Sequence, residues 1–422
     1  MKFSILKLFL SFFLFAFMAN VSAQQVIRCY TKEYTDFLKS QDPDLGKHLQ
    51  EAENVNQQWR LSHPSSPNDV QAIVTIPVVV HIVYRNSSDS LLMSRVTSQI
   101  DVLNADFSRT NADASNTPAV WQSIAANCNV QFCLAKRRWD GMPTNGVTYT
   151  KTTINVFTSD DKVKKTALGG IDPWDRNKFL NIWVCNLGTS LLGYSSPVGG
   201  SSTTDGVVIR YTTFGNPGTE SGYAQGRTCT HEVGHWLGLR HIWGDDAGDC
   251  SSGGGTDFIS DTPDQTNNTW GCHTFPFMDS CSSVSPGIMF MNYMDYSDDV
   301  CLNMFTNGQK TVITSVINGA RAAIKTSNGC LATVAGMPES DLLDKDISVY
   351  PNPAQAKITV QSEFQNIAGI KVLNILGEKI FDSQFPFPVT SSELDLSLFN
   401  NGIYFLEIHS PGSFITKKII LN

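Results

Sequence analysis

Three histidines and one glutamate fall within the eleven-residue stretch HEVGHWLGLRH, which runs from His231 to His241. On a helix, His231 and His235 would project from one face a turn apart, so both imidazoles could reach one metal ion. Glu232 would lie on the flank of that face, where it can contact water without binding the metal. Gly238 predicts the end of the helix, because a residue with positive φ commonly terminates one. The following turn would bring His241 to the same ion.

This donor set predicts a catalytic zinc site. Three histidines leave the fourth tetrahedral position open, whereas structural zinc sites are closed by four protein ligands. Zinc lowers the pKa of its bound water towards about 7, and Glu232 is the candidate base that passes the proton to a leaving amine. The stretch therefore predicts peptide-bond hydrolysis. The competing hypothesis is an inactive zinc-binding protein, which the presence of Glu232 disfavours.

The bulk composition describes a folded chain of two or three domains. Of its 422 residues, 41% are hydrophobic and 17% are charged, which is not the composition of a disordered protein. The formal net charge is -8 and no basic run occurs, which argues against nucleic acid as the main partner.

The N-terminus resembles a secretory signal in its layout. Two lysines precede a long apolar run, and Val21-Ser22-Ala23 then offers a small-x-small cleavage site after residue 23. The alternative is a membrane anchor, which the immediate cleavage site disfavours. Nothing downstream is apolar enough to span a bilayer, so we expect an exported chain without a stable membrane span. Export makes the ten cysteines candidates for disulfides.

Patterning divides the rest of the chain into a pro-segment, a catalytic domain and a tail. Residues 24–73 are polar and end in a Pro-rich stretch, and they are interpreted as a pro-segment and linker. An apolar stripe of period 3.6 that begins at Val96 predicts a helix. Strands are predicted at TIPVVVHIVY, NVQFCLA, KFLNIWVCNL and DGVVIRY. Strands mixed with two or three helices predict an α/β or α+β catalytic domain at residues 74–333.

The end of this domain combines a long irregular segment with one helix. The segment from Cys250 to Met289 lacks periodicity, and a loop this long needs staples, for which disulfides and an ion are candidates. Thr306 followed by Gln309 is a capping-box pattern that predicts the start of the last helix. Residues 334–346 are interpreted as a linker.

Residues 347–422 change character. Short runs of alternating apolar and polar residues separated by turn residues predict a small all-β sandwich. This part contains no cysteine and no cluster of histidines or paired acids, so no catalysis is assigned to it.

Residues 75–330 resemble the pappalysin family of metzincin metallopeptidases. The HExxHxxGxxH signature of the metzincins matches His231 to His241. The resemblance also rests on LNIWVCNL, LLGYSSPVGG, TDGVVIRYTTFG, SDTPDQ and NYMDYSDDVCLNMFTNGQ. It implies an α+β metzincin-like domain with a twisted mixed sheet, an active-site helix and a C-terminal helix, followed by the β-sandwich.

The resemblance implies roles for individual residues. His231, His235 and His241 would bind zinc, and Glu232 would be the general acid and base. Met294 would form the methionine turn beneath the metal, although an ordinary core methionine is the alternative. Tyr296 would approach the metal or the oxyanion, with a packed tyrosine as the alternative.

The resemblance further implies disulfides Cys250–Cys281 and Cys272–Cys301 and a calcium loop at GTDFISDTP. In that loop Asp257, Asp261 and Thr262 are the candidate calcium ligands, because Ca²⁺ prefers hard oxygen donors. A solvated loop without an ion is the alternative. Cys128, Cys133, Cys185, Cys229 and Cys330 receive no partner, and Cys128–Cys133 is merely the nearest pair.

Cys29 resembles the pro-segment cysteine that occupies the open zinc position in latent members of the family. A thiolate there would displace the catalytic water, and a plain disulfide is the alternative. Family members prefer Arg or Lys next to the cleaved bond and use a carboxylate in the pocket. The residue before Cys301 is the apolar Val300, preceded by Asp298 and Asp299, so the sequence leaves a preference for Arg or Lys open.

Residues 347–422 resemble the sorting domain of type IX secretion cargo from Bacteroidetes, on VYPNPA, KVLNILGEKIF, LFNNGIYFLEI and KKIILN. The resemblance implies passage through the periplasm of a Gram-negative bacterium and contact with outer-membrane secretion machinery. A carbohydrate- or protein-binding sandwich is the alternative.

Taken together, the motifs predict a secreted zinc metalloendopeptidase that is made as a zymogen. We expect it to act on proteins or peptides and not to bind nucleic acid. An inactive surface adhesin on a peptidase scaffold is the second hypothesis.

Overall fold

The computed structural model describes residues 26–63, 72–246, 250, 253–332, 347–362, 367–410 and 413–422. The signal peptide predicted at residues 1–23 and the linker predicted at residues 334–346 lie outside this part of the chain. Among the helices of the described residues, none is long and apolar enough to cross a membrane.

Helices lie before, within and after the catalytic sheet. The described α-helices are α1 (Thr31–Gln41), α2 (Leu45–Ser62), α3 (Met93–Ser108), α4 (Arg227–Trp236) and α5 (Asn307–Asn318). The first two belong to the predicted pro-segment. The third is the helix predicted from the apolar stripe that starts at Val96, and the fourth carries the first two histidines of the HExxH motif.

One mixed sheet forms the centre of the catalytic domain. Its strands are β1 (Val74–Tyr84), β2 (Val130–Leu134), β3 (Val147–Lys151), β4 (Leu180–Cys185), β5 (Gly193–Ser195) and β6 (Val207–Arg210). The order is β2-β1-β4-β6-β5, and β3 pairs with the second half of β1. All pairs are parallel except β5 with β6. The mixed sheet agrees with the predicted fold class, and β3 and β5 are strands that the sequence pattern did not predict.

The two faces of this sheet bury different parts of the chain. Side chains alternate along a strand, so Ile182 and Val184 of β4 pack in the cluster that also holds residues of α3, α4 and α5. Trp183 and Cys185 point to the other face and pack with Tyr34 of α1. The pro-segment therefore supplies part of one hydrophobic core and is not an unstructured arm.

The second pro-segment helix packs along α5. Arg60 Nη1 donates to Ser315 Oγ at 2.9 Å, and the buried Asn56 Oδ1 accepts the backbone N–H of Ala320 at 3.1 Å. The first contact joins α2 to α5, and the second joins it to the turn that follows α5. The pro-segment is thus held at two separate places, through α1 on the sheet and through α2 along α5.

The capping box predicted for the last helix is present. Thr306 Oγ1 accepts the N–H of Gln309 at 3.1 Å, and Gln309 Oε1 accepts the N–H of Thr306 at 2.9 Å. Asp261 adds to this cap, because its two carboxylate oxygens accept from Thr306 Oγ1 at 2.7 Å and from the N–H of Gly308 at 2.8 Å. Asp261 therefore fixes the start of α5 to the preceding loop.

Three disulfides staple the catalytic domain in the described residues. Cys250–Cys281 and Cys272–Cys301 are formed as the family resemblance implied, and they close the long irregular segment. The third is Cys133–Cys330, which joins β2 to the end of the domain across 197 residues of sequence. Cys128 is free and buried, so the nearest-neighbour pairing with Cys133 is wrong. Proximity in sequence did not identify the correct pair, because the tertiary fold brings Cys330, and not Cys128, next to Cys133 on β2.

The C-terminal residues form two antiparallel sheets. The larger contains β9 (Ile367–Leu373), β10 (Lys379–Val389), β12 (Gly402–Ser410) and β13 (Ser413–Leu421), and the smaller contains β7 (Ile347–Tyr350), β8 (Lys357–Ser362) and β11 (Ser391–Asp395). Both sheets contribute to one apolar cluster, with Ile358 and Val360 from the smaller sheet and Ile370 and Ile408 from the larger. Two sheets around one core are the predicted sandwich.

Candidate metal centre and active site

The active-site helix begins after Gly226 and ends two residues before Gly238, the glycine singled out by the sequence. α4 spans Arg227–Trp236, Leu237 follows it, and Gly238 has φ +90°. A Cβ at Gly238 would lie 2.7 Å from Val316 Cγ2 of α5, so space as well as backbone conformation requires glycine. The chain then turns back and brings His241 to the two histidines of the helix.

The three imidazoles converge through their Nε2 atoms. The Nε2 of His231 lies 3.1 Å from that of His235 and 3.1 Å from that of His241, and the last two are 3.0 Å apart. All three side chains are buried. The predicted trio is therefore brought to a single point in the protein interior.

The other ring nitrogen of each histidine faces a hydrogen-bond acceptor. His231 Nδ1 lies 2.7 Å from the carbonyl oxygen of Tyr293, and His235 Nδ1 lies 2.9 Å from that of Leu239. His241 Nδ1 lies 2.6 Å from Asp245 Oδ1. Carbonyl and carboxylate oxygens cannot donate, so each Nδ1 carries the proton. Each Nε2 consequently presents a lone pair to the other two.

Three lone pairs at this separation repel one another, and a cation between them removes the repulsion. Protonation is a poor substitute, because burial, followed by the neighbouring imidazoles, lowers the pKa of His231 well below its usual value and lowers that of His235 to about 3. Neutral imidazole with its second nitrogen held by an acceptor is the usual form of a metal-ligating histidine. The donor set therefore fits a divalent metal ion.

Asp245 is the acceptor that orients His241, and it has a left-handed backbone conformation with φ +61°. We expect Asp245→Asn to lower zinc affinity about 10- to 100-fold, because a neutral amide polarises the imidazole less than a carboxylate does. Competition of the full chain with a chromophoric chelator measures this affinity. Asp101→Asn, at an exposed position of α3, is the matched control. Equal zinc affinities in the two variants would reject an orienting role for Asp245.

Glu232 is fully buried beside the trio. Its Oε2 accepts from Thr31 Oγ1 at 2.9 Å and from the Cys29 thiol at 3.4 Å, whereas its Oε1 has no hydrogen-bond partner among the described residues. Burial raises the pKa of Glu232 to about 8. A buried carboxylate oxygen without a partner is rare in folded proteins and points to a polar group that this site is built to receive. A Cβ at Gly193 would lie 3.0 Å from Glu232 Cγ, so the absence of a side chain there leaves room for the carboxylate.

Cys29 completes the cluster. Its Sγ and the three Nε2 atoms lie within 4.8 Å of one another, and the cysteine is free and buried. The plain disulfide considered for this residue is therefore absent. Burial, followed by the charge of Glu232, raises the pKa of the thiol well above its usual value.

The chain around Cys29 lies along the edge strand β5. The N–H of Tyr30 donates to the carbonyl of Gly193 at 3.1 Å, and Thr31 Oγ1 accepts the N–H of Ser195 at 2.8 Å. The carbonyl of Ile27 accepts the N–H of Leu192 at 3.0 Å, and the bridge there is parallel. The pro-segment thus lies along the edge of β5 and contacts Glu232 through Thr31.

Arg28, the residue before Cys29, extends its side chain into the interior of the catalytic domain. Its guanidinium is fully buried, pairs with Asp299 Oδ1 at 3.1 Å and also donates to the carbonyl of Ser297. Its Cζ lies 5.0 Å from the centre of the Tyr223 ring. A carboxylate therefore does face a basic side chain beside the metal centre, although Val300 at the neighbouring position is 60% exposed.

Met294 and Tyr296 both lie at the site. Met294 is buried beneath α4, where a Cβ at Gly234 would lie 2.5 Å from its Sδ, which explains the glycine inside HEVGH. The Tyr296 ring is 5.0 Å from that of His241, and its hydroxyl donates to the carbonyl of Cys29 at 3.2 Å. Burial raises the pKa of Tyr296 well above its usual value, so the hydroxyl remains a donor.

The proposed calcium ligands lie in one loop but are already engaged within the protein. Thr262 Oγ1 donates to Asp257 Oδ1 at 2.6 Å, and both oxygens of Asp261 cap α5. Asp257 Oδ2 is buried without a partner among the described residues, and burial raises the pKa of Asp257 to about 7. The structure brings the three residues together without establishing an ion.

The fold and these groups define a metallopeptidase. Residues 158–318 match the family profile described as pregnancy-associated plasma protein-A, and residues 348–422 match that of a secretion system C-terminal sorting domain. An extracellular metalloprotease of Arthroderma otae is 31% identical over 266 residues, which cover 61% of this chain and 83% of the relative. One of Sordaria macrospora is 31% identical over 288 residues, which cover 67% of this chain and 88% of the relative.

Solved structures give the same result. A Tannerella forsythia promirolysin mutant is 44% identical with a TM-score of 0.64, over 70% of this chain and 96% of that one. Mature mirolysin of Tannerella forsythia in complex with a cleaved peptide is 49% identical with a TM-score of 0.59, over 61% of this chain and 97% of that one. The chain belongs to the pappalysin family of metzincin metallopeptidases and ends in a secretion sorting domain. It is therefore a secreted metalloendopeptidase.

Sequence reasoning did not identify Arg28 or Asp245 as site residues, and it left Asp299 unplaced. Arg28 directly precedes Cys29 in the sequence. The prediction that Cys29 lies at the metal could therefore have been extended to its neighbour. Asp245 lies four residues after His241, within reach of the same turn. Neither the carbonyl of Tyr293 nor the pairing of Arg28 with Asp299 has any local signal.

Proposed function

We propose that this chain is the precursor of a zinc endopeptidase in which His231, His235 and His241 hold the ion and Glu232 moves the proton. The convergence of three protonless Nε2 atoms within 3.1 Å of one another carries the proposal. The domain bounds that accompany it are a pro-segment at 24–73, a peptidase domain at 74–333 and a sorting domain at 347–422. Imidazole donors with one open position favour zinc over harder cations.

Zinc held there would supply Lewis-acid polarisation of a peptide carbonyl and lower the pKa of water. Glu232 would take a proton from the attacking water at its carboxylate and pass it to the leaving amide nitrogen. The hydroxyl of Tyr296 would donate a hydrogen bond to the oxygen of the scissile carbonyl. Its hydrogen bond to the carbonyl of Cys29 supports this role, because that carbonyl belongs to the chain that now fills the cleft.

Latency would follow from the position of Cys29. The Sγ lies close enough to the three imidazoles to bind the same metal ion, and a thiol that coordinates a metal ion would release its proton to solvent despite the burial that raises its pKa. Thr31 and Cys29 also hold Oε2 of Glu232, so the pro-segment contacts both the metal position and the base. The relative solved as promirolysin supports a zymogen.

We further propose that the pocket around Asp299 receives the Arg or Lys of a substrate once Arg28 leaves. Asp299→Asn should lower kcat/KM for a peptide with arginine at the cleaved bond about 10- to 100-fold, because a buried charged hydrogen bond is lost. The readout is the ratio to a peptide with a neutral residue there. The first N–H of α4 also donates to Asp299, so the substitution could disturb that helix. Such a disturbance would lower kcat/KM for both peptides equally and leave their ratio unchanged. Asp298→Asn is the neighbouring control, and an unchanged ratio in Asp299→Asn would exclude the pocket.

A calcium ion at Asp257, Asp261 and Thr262 remains a proposal based on the family resemblance and on the unpartnered Asp257 Oδ2. Millimolar calcium should raise the thermal midpoint of the full chain, and Asp257→Asn should remove that increase. A midpoint that is independent of calcium would exclude the ion.

The route of export is proposed from the two ends of the chain. A cleaved signal at residues 1–23 would carry the protein into the periplasm of a Gram-negative bacterium, and residues 347–422 would engage the type IX machinery of the outer membrane. The sorting-domain match at residues 348–422 supports the second step. Retention of the chain in the periplasm after deletion of residues 347–422 tests it, and unchanged secretion would reject it.

Hydrolysis of casein with and without a zinc chelator tests the proposed activity. The full chain is first activated and then assayed, and a zinc-selective chelator should abolish hydrolysis, which added zinc should restore. Activity that survives complete removal of zinc would overturn the proposal.

A further inference from the structure

Tyr34 of α1 fills a closed pocket on the face of the sheet opposite to α4. Its side chain is fully buried, and its ring lies 4.8 Å from that of Tyr194 on β5. Trp183, Phe157 and Val163 belong to the same buried cluster. Apart from Tyr34, the buried residues of this cluster all belong to the catalytic domain.

At the bottom of this pocket, a buried ion pair provides both an acceptor and a donor of hydrogen bonds for a phenol hydroxyl. Asp161 lies with both oxygens 2.7 Å from the Tyr34 hydroxyl, and Lys164 Nζ lies 3.0 Å from Asp161 Oδ1 and 3.1 Å from the same hydroxyl. The hydroxyl donates to the carboxylate and accepts from the ammonium. Burial, followed by the charge of Asp161, raises the pKa of Tyr34, so the phenol keeps the proton that it donates.

The ammonium is held in place without Tyr34. Lys164 also donates to the carbonyl of Thr204 at 2.9 Å and to Ser196 Oγ at 3.2 Å, and its Nζ lies 5.0 Å from the centre of the Tyr194 ring. These partners all belong to the catalytic domain. Departure of the pro-segment therefore removes the phenol and leaves its recognition groups fixed.

The pocket lies close to the cleft along the chain that enters it. Thr31, three residues before Tyr34, contacts both Glu232 and the backbone of Ser195. A peptide that leaves the cleft around the edge of β5 can thus place a side chain in the pocket within a few residues.

We propose that the pocket floored by Asp161 and Lys164 is a tyrosine-binding exosite of the peptidase, plugged by Tyr34 in the precursor and open to a substrate tyrosine after activation. The proposal rests on the proposed removal of the pro-segment and extends it to the substrate. Phenylalanine fills the same volume but leaves the carboxylate and the ammonium without their shared partner, so the site discriminates by the hydroxyl.

Ligand binding to full chains that carry Glu232→Ala tests the proposal without requiring catalysis. Calorimetry compares p-cresol, the tyrosine ligand, with toluene, the phenylalanine ligand, because α1 still covers the pocket in the full chain and only the volume of the ring is freed. The three forms compared are Tyr34 intact, Tyr34→Phe and Tyr34→Ala. The Tyr34→Ala chain should bind the tyrosine ligand about 10- to 100-fold more tightly than the phenylalanine ligand. The two chains whose pocket is still filled by a ring should bind neither. Adding Lys164→Met to Tyr34→Ala should abolish the preference, and its thermal midpoint shows whether that chain is folded.

Equal affinity for the two ligands, no binding to the Tyr34→Ala chain, or the same binding when Tyr34 is intact would each overturn the exosite. If Lys164→Met unfolds the chain, the comparison of the two ligands still decides. A chain that hydrolyses no casein would contradict the proposed activity and leave these binding results unaffected, so the two failures are distinguishable.

Discussion

Replacing Glu232 with glutamine should lower kcat for peptide hydrolysis by about 10²- to 10⁴-fold, the usual contribution of a general acid and base. Glutamine has the same shape and can still accept from Thr31, but its amide cannot take a proton from water. The three imidazoles are unchanged, so the zinc content of Glu232→Gln should equal that of the unaltered chain. Single-turnover hydrolysis and metal analysis of the same preparation measure both quantities.

The pairing of these two readouts separates loss of the base from loss of the metal. Glu393→Gln makes the same chemical change in the sorting domain, where Glu393 forms an exposed pair with Lys357, and it should leave kcat unaltered. Substantial activity in Glu232→Gln with full zinc occupancy would show that another group moves the proton.

Cys29→Ala should give a precursor that hydrolyses casein before its pro-segment is cut. Loss of one coordinating thiol weakens the closed state, and each 1.4 kcal/mol lost raises the active fraction tenfold, so an increase of about tenfold or more is expected. Hydrolysis is followed at early times while gel electrophoresis verifies that the chain is still intact.

The matched control is Cys128→Ala, which removes another free, buried cysteine that is not part of the metal cluster. It should remain latent. Arg28, Thr31 and Tyr34 still hold the pro-segment in the Cys29→Ala chain, so unchanged latency would mean that these contacts, and not the thiol, keep the precursor inactive.

The metal centre was predictable from the sequence because its determinants are local. His231, Glu232, His235, Gly238 and His241 lie in one short stretch whose helical spacing and glycine already fix which side chains meet. The capping box at Thr306 was predictable for the same reason, since its two partners are three residues apart.

Contacts between distant segments had no such signal. Arg28 and Asp299 are 271 residues apart, and only the passage of the pro-segment along β5 brings them together. Likewise β5 has three residues, too few for a periodic pattern, and exists because β6 pairs with it. Side-chain chemistry was thus available from the sequence, whereas the route of the pro-segment required the tertiary fold.

The bond between Cys133 and Cys330 has a mechanical consequence. Cys330 lies at the end of the catalytic domain, and its sulfur is bonded to Cys133 of β2, a strand that pairs with β1 in the sheet. A pull on the tail by a secretion apparatus, or a cut within it, is therefore borne by a covalent cross-link at the boundary. The last helix and the histidine cluster, both of which precede Cys330 in the chain, would be shielded from that force.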